Sequence, residues 1–424
     1  MNINVFLRCN HCDDLIHTRI GFSNQEIQTF RFACFKCKSP IIINLTVDFD
    51  NVTWEGKIEG GVEVKDMWPD KVDQSDQFVD LHLDFPTYYG KYEMGMTPFI
   101  RAHTKLKDNL IPYQHVLKLL QGAVDDIDNI SAIIRFYLDG NVELFEKNIR
   151  EYLDDKHFPC KEQVDINRAL YQFLCIAFMA INDPLGQASF VESAHQKLCE
   201  LYQENEKNFG LFLEHIIHVG FLANVQKDCL ELYPRIMESN EILRPALYYE
   251  FVEDDSKDTC LRIGNSDFLK HKTLFQDISE VISRQLVLVA GINNIIKRGH
   301  YDLFDTNKKK YPKSLNEFAN CPFGRRSEYI DDPYWGPIVS KVIMNRLRNA
   351  IAHNKVEYNE STQEIEFYFK LEGMKQEQHD HMTYMDFTVA LLDSFRWMNK
   401  FNHLIKMLYV FWYFKYEPRD NAES

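Results

Sequence analysis

The chain has 424 residues, of which 45% are hydrophobic and 13% aromatic, which is enough for two or three domains with true cores. A formal net charge of −15 excludes nonspecific nucleic-acid binding by the chain as a whole. No apolar run is long enough to span a membrane, no signal peptide is evident in the first twenty residues, and six cysteines (160, 175, 199, 229, 260, 321) are scattered without pairs. A cytoplasmic protein with reduced thiols is expected.

The first elements are organised by four cysteines. Cys9 and Cys12 form one close pair and Cys34 and Cys37 another, so two tight knuckles can supply four thiolates to a tetrahedral zinc ion. The β-prone stretches 27–32 and 41–47 complete a zinc ribbon over residues 1–47. His11 and His17 are the nearest substitute ligands and rank below the cysteines. A closed four-thiolate site has no open coordination position, so the expected zinc is structural. Phe6, Arg8, Arg31, Phe32, Phe35, Lys36 and Lys38 mix basic and aromatic groups around the knuckles, compatible with nucleic-acid contact or with a stabilising lid.

Residues 48–105 form a small β-rich segment, with strand-like pieces at 52–58, 61–64 and 78–83 broken by Gly and Pro. Tyr88, Tyr89, Tyr92 and Phe99 there are expected to pack. From 106 to 265 apolar residues recur every three or four positions, at 116–124, 127–138, 142–153, 164–181, 190–202 and 211–222. A helical bundle or short solenoid follows from that pattern. Glu250, Glu253, Asp254, Asp255 and Asp258 close it as a solvated linker. A last domain, 266–416, opens with a helix at 274–297. It continues through a loop-rich stretch at 299–336, a hairpin at 355–358 and 365–369, and a helix at 385–416. The expected fold is mainly α with a small β N-terminal part.

The chemistry-bearing pattern lies in that last domain. Val339, Ile343, Leu347, Ala350 and Ile351 mark the buried stripe of one helix at about 337–354, with Pro337 suited to its first turn and Asn354 to its left-handed end. Arg348, Asn349 and His353 fall off the stripe. A guanidinium fork matches a phosphate and offsets charge on a pentacoordinate transition state. An imidazole titrates near neutrality and can move a proton to or from a ribose oxygen. Asn349 can orient the imidazole or bind a nonbridging oxygen.

An arginine, a polar residue, three further residues and a histidine, on a helix late in a helical domain, resembles the signature of HEPN ribonucleases. The resemblance covers residues 270–416, about a third of the chain. It implies a metal-independent endoribonuclease in which two copies of the motif meet at a dimer interface, often in prokaryotic antiviral or toxin systems. Arg348, Asn349 and His353 take the motif positions, and Asp277 and Glu280 are the candidates for a further acidic residue.

Charge distribution favours an RNA substrate. Residues 270–355 carry fifteen Lys and Arg against eight acids, a basic island in an acidic chain. Arg325, Arg326, Lys341 and Arg346 are the expected RNA-binding residues, with Tyr334 and Trp335 beside them. The run Lys308 to Lys310 is expected to be a solvated loop. The expectation is a latent ribonuclease that acts as a homodimer, needs no metal for catalysis and answers to a trigger protein or nucleic acid. The alternative is a zinc-stabilised dimeric scaffold or sensor whose HEPN-like domain is silent.

Overall fold

The computed structural model describes residues 1–65, 67, 77–253, 262–264, 267–307, 310–368 and 379–416. Asp254, Asp255, Asp258, Cys260, Lys308, Lys309 and Phe369 lie outside the described residues. The fold is mixed, 57% helical and 17% strand, with an N-terminal β region and a helical C-terminal half.

Eight strands come first: β1 (Asn2–Cys9), β2 (Leu15–Gly21), β3 (Ile27–Ala33), β4 (Pro40–Asp48), β5 (Thr53–Glu59), β6 (Gly61–Glu63), β7 (Phe78–Leu81) and β8 (Tyr88–Gly90). Helices α1 (Pro98–Leu106), α2 (Leu110–Asp125), α3 (Ile127–Leu138), α4 (Val142–Ile149), α5 (Gln163–Ala177), α6 (Pro184–His218), α7 (Phe221–Leu230), α8 (Leu232–Met237) and α9 (Asn240–Phe251) follow. The remainder comprises α10 (Phe268–Arg298), α11 (Leu315–Ala319), α12 (Trp335–Val342), α13 (Asn345–Ala352), β9 (Val356–Asn359), β10 (Glu364–Tyr368), β11 (His379–Thr383) and α14 (Tyr384–Phe411). Two compact units gather these elements, each from three stretches of chain. The first is Met1–Val124, Glu238–Lys272 and Ala350–Leu392; the second is Asp125–Met237, Thr273–Asn349 and Asp393–Ser424.

The first unit is built on alternation. In β4, Ile41, Ile43, Leu45 and Val47 are buried while the residues between them are not, the period of two that a half-buried strand requires. Ile41, Ile43 and Leu45 pack with Leu7, Ile16, Ile20, Phe30, Phe32, Val79 and Leu81 in one core that also contains Cys9 and Cys34. The strands form sheets ordered β6-β1-β2-β7-β8, β3-β4-β5 and β11-β10-β9. In β5 every residue except Ile58 is exposed.

A buried arginine ties the strands of this unit to its helices. Arg244 on α9 is 0% exposed and donates to Asp84 Oδ1 at 2.6 Å, Asn24 Oδ1 at 2.8 Å and Gln121 Oε1 at 2.6 Å. Tyr113 on α2 donates to the carbonyls of Asp84 and Arg244. Residues 262–264 form a strap along the same unit: Thr87 N donates to Arg262 O and Arg31 N to Gly264 O. The buried Gln363 side chain exchanges two hydrogen bonds with the backbone of Ile263.

The second unit is helical. Where the apolar spacing indicates separate helices at 190–202 and 211–222, α6 runs through 35 residues with one non-helical residue, Asn205 (φ −139°, ψ 38°). A Cβ at Gly291 on α10 would collide with the Phe212 ring of α6, so only glycine permits that approach. The buried face of α14 is mainly apolar, with Phe395, Met398, Phe401 and Leu404, but Asn399, Asn402 and His403 are buried among them. Asn402 accepts from Tyr171 OH at 2.8 Å and donates to Tyr233 OH at 3.1 Å. Asn399 donates to Asn182 and Gln187, and Gln187 Nε2 lies 2.7 Å from His403 Nε2.

The stretch at 299–336 is less free than its composition indicates. Asn293 on α10 accepts from the backbone N–H groups of Asp331 and Asp332, and Asn294 donates to Tyr301 O. These amides fold the stretch back onto α10. No described helix is long and apolar enough to cross a membrane.

Two stability tests follow. Asp84→Ala leaves a buried guanidinium uncompensated and is expected to cost ~3–5 kcal/mol, read as an earlier urea midpoint; a loss under ~1 kcal/mol would show that Arg244 needs no carboxylate. Burial holds His17 and His271 at about 4 and His403 at about 3. Between those values and the unfolded value of ~6.5 the unfolded chain binds protons that the folded chain refuses, so stability falls as pH drops through that window. Denaturation at pH 7, 6 and 5 checks this: a flat midpoint contradicts it.

Candidate functional site

The four cysteines come together because two hairpins end in the same turn. Cys9 closes β1, Asp13 N donates to Cys9 O at 3.0 Å, and Cys9 N donates to Asp14 O at 3.0 Å. At the second knuckle Lys38 N donates to Cys34 O at 3.1 Å and Cys34 N to Ser39 O at 2.9 Å. Asp13 (φ 58°) and Lys38 (φ 62°) occupy equivalent left-handed positions directly after the second cysteine of each pair. The repeated turn aims two thiols from each hairpin at one point.

Cys9 Sγ lies 3.5 Å from Cys37 Sγ, Cys12 Sγ lies 3.6 Å from Cys34 Sγ, and all four sulfurs fall within 4.8 Å of one another. A metal with four thiolates at ~2.3 Å sets tetrahedron edges near ~3.8 Å, whereas a disulfide needs ~2.05 Å. The cluster therefore has the dimensions of a metal site. Among the described residues it is the one group of three or more His, Cys, Asp or Glu spaced for an ion. Neither substitute ligand belongs to it: His17 bonds Asn4 Oδ1 at 2.9 Å and stacks on Phe6. Hydrogen bonds from the Ser39 hydroxyl and backbone bring the Cys37 thiol down to about 6, while burial pushes Cys34 up to about 12. One thiolate is thus ready, and a cation's charge would deprotonate the others. Of the basic groups near the ribbon, Arg8 pairs with Asp13 and Arg31 with Glu360 at 3.1 Å.

The second candidate site is α13. The single helix expected at 337–354 is two: α12 ends at Val342, Ile343 takes ψ 93°, and α13 begins at Asn345. The break shifts the buried stripe. Trp335, Val339 and Val342 are buried before it and Leu347, Ala350 and Ile351 after it, so Val342 takes the place that an unbroken helix would give to Ile343. β-branched Val339, Val342 and Ile343 hold the helix weakly there. The far end is as the sequence indicates. Asn354 is left-handed (φ 52°), Asn354 N donates to Ile351 O at 3.1 Å, and Lys355 N donates to Ala350 O at 2.8 Å, the paired bonds of a Schellman end.

On this helix His353 is the exposed residue just past the last helical turn, and Asn349 is half-buried one turn earlier. Arg348 forms an ion pair with Glu280 of α10, its guanidinium carbon 5.5 Å from the Phe323 ring centroid, and its Nε has no hydrogen-bond partner. Of the two acids expected to accompany the motif, Glu280 is the one that meets it; Asp277 pairs with Arg235 at 2.7 Å. Phe323 carried no sequence signal, because a lone aromatic in an irregular stretch has no periodicity to betray it.

The expected RNA-binding residues divide. Lys341 and Arg346 are exposed, and Lys341 Nζ lies 5.8 Å from the Trp397 ring centroid. Arg325 is half-exposed and bonded to Tyr329 OH and Glu328. Arg326 must be withdrawn: it is buried and donates to the carbonyls of Ser283, Ala319 and Cys321, and burial brings it down to about 10. Its job is to pin the turn Phe323–Tyr329 against α10 and α11. Trp335 is likewise buried, at 0% exposure, and cannot stack on a base; Tyr334 OH lies 2.8 Å from Ser193 Oγ.

Elemental analysis of the purified chain is expected to find one metal ion per polypeptide, absent after Cys34→Ser with Cys37→Ser. Protons compete for the thiolates, so acidification should release it. Four thiols reacting freely in the native chain, with no ion bound, would refute the site. No protein-family model, curated protein or solved structure matches this chain.

Proposed function

We propose that the chain is a metal-independent endoribonuclease of the HEPN type. Arg348, Asn349 and His353 are its catalytic groups. Zinc, which favours four thiolates in a tetrahedron and has no redox chemistry, occupies the cysteine site as structural support. The observation that carries the reading is the layout of α13. An exposed imidazole follows the helix directly, Asn349 stands one turn before it, and the neighbouring Arg348 has an unpartnered Nε and is held by a surface carboxylate.

The chemistry follows from those groups. His353 takes the proton of a ribose 2′-hydroxyl, the 2′-oxygen bonds to the adjacent phosphorus, and the bond from phosphorus to the 5′-oxygen breaks. A protonated imidazole gives the leaving oxygen its proton. One imidazole cannot be base and acid in the same step, so the reading includes a homodimer whose second His353 supplies the other role. Arg348 exchanges Glu280 for the phosphate and offsets the charge of the pentacoordinate species. Asn349 holds a nonbridging oxygen, and Lys341, Arg346 and Arg325 steer the strand. The product is a cyclic 2′,3′-phosphate, and a substrate lacking the 2′-hydroxyl is inert. The Glu280 pair suits a latent enzyme released by a trigger protein or nucleic acid, as in toxin or antiviral systems, and the unpaired cysteines suit the cytoplasm.

The same ion pair favours a second reading, a silent HEPN-like scaffold in which Glu280 permanently neutralises Arg348. Labelled RNA incubated with the zinc-loaded chain in buffer without added divalent metal separates the two. Cleavage to cyclic-phosphate ends is expected, falling by at least ~10²-fold in His353→Ala and in Arg348→Ala. Equal cleavage by His353→Ala sinks the catalytic assignment.

A further inference from the structure

The second cysteine knuckle and the motif helix are both anchored to one hairpin, and every anchor lies within the first unit. β3 runs directly into Cys34. Three residues earlier, the Arg31 side chain holds Glu360 in the β9–β10 turn at 3.1 Å, and its backbone N–H donates to Gly264 O at 2.5 Å. Beside Gly264, Ile263 N donates to Gln363 Oε1 at 2.8 Å and receives the Gln363 Nε2 donor on its carbonyl at 2.7 Å. Gln363 is buried and left-handed (φ 55°), so the tip of the hairpin is plugged into the strap. Lys38, adjacent to Cys37, lines a groove of about 450 Å³ together with Glu357, Glu360, Glu364 and Glu366 of the same hairpin.

The hairpin continues into the motif. Tyr368 N donates to Lys355 O at 2.9 Å, and Lys355 N closes the end of α13 on Ala350 O at 2.8 Å, with His353 inside that closing turn. The hairpin also has a reason to depend on outside anchors. Glu357 and Glu366 stand directly opposite in its register, and like charges so placed repel.

We propose that the cysteine site and the β9–β10 hairpin form one clamp: metal held by Cys9, Cys12, Cys34 and Cys37 stiffens the β3–β4 knuckle, which fixes the hairpin and with it the turn carrying His353. Removing the metal loosens that turn. The clamp is a property of the first unit, and only its effect on cleavage rests on the ribonuclease reading.

Backbone hydrogen exchange of the full chain, before and after zinc removal by a strong chelator, reads the clamp directly. Exchange at residues 354–367 is expected to rise roughly tenfold together with 34–47, while α5 stays protected. Gln363→Ala and Glu360→Gln are expected to loosen 354–367 with zinc content unchanged, which keeps the test decisive if the apo chain unfolds altogether. Hairpin protection that survives loss of protection at 34–47, or that survives Gln363→Ala, overturns the clamp. Absence of RNA cleavage in every form would count against the ribonuclease reading alone, because exchange decides the clamp without it.

Discussion

The Arg244–Asp84 pair is the constraint on which the first unit depends. A guanidinium with no access to water is tolerable only when nearly every donor is met, and here the acceptors come from the turn after β2, the segment after β7, α2 and α9. Such a network contributes little net energy over an apolar core of the same shape, but it admits one arrangement. The strands presenting the cysteines and the helices behind them are thereby set to a single mutual position. The knuckles can then be short, because the frame that aims them is rigid.

What could be read from residues alone follows from how local each signal is. Cys9, Cys12, Cys34 and Cys37 declare themselves because a knuckle needs only four neighbouring residues, and β3 and β4 follow from alternation that the core then enforces. The helix of residues 127–138 was legible to the residue, since its apolar spacing is uninterrupted. β11 was not, because His379, Asp380 and His381 have no strand-like pattern; pairing with β10 alone makes them a strand. The connection that the spacing indicates between 202 and 211 shrinks to one non-helical residue, Asn205, because the helix resumes on both sides of it.

The motif helix shows where such reading ends. Arg348, Asn349 and His353 were found by type and spacing, and Asn354 by its tolerance of left-handed backbone. The break at Ile343 was hidden, because Val342 and Ile343 are equally apolar and only packing chooses between them. Arg325 and Arg326 are adjacent and identical in sequence terms, yet one lies half-exposed and the other is buried and spends its donors on three backbone carbonyls. Charge counted along a chain cannot tell a surface from a rivet.

The amides along α14 bear on how the chain can be divided. Asn399, Asn402 and His403 find their partners on Tyr171, Asn182, Gln187 and Tyr233, residues more than 150 positions upstream. A fragment cut out as residues 266–416 would carry those polar groups into solvent or aggregate through the apolar residues around them. The C-terminal region is therefore not a transferable cassette: a fusion or transplant that keeps its helices must bring α5 to α8 with it.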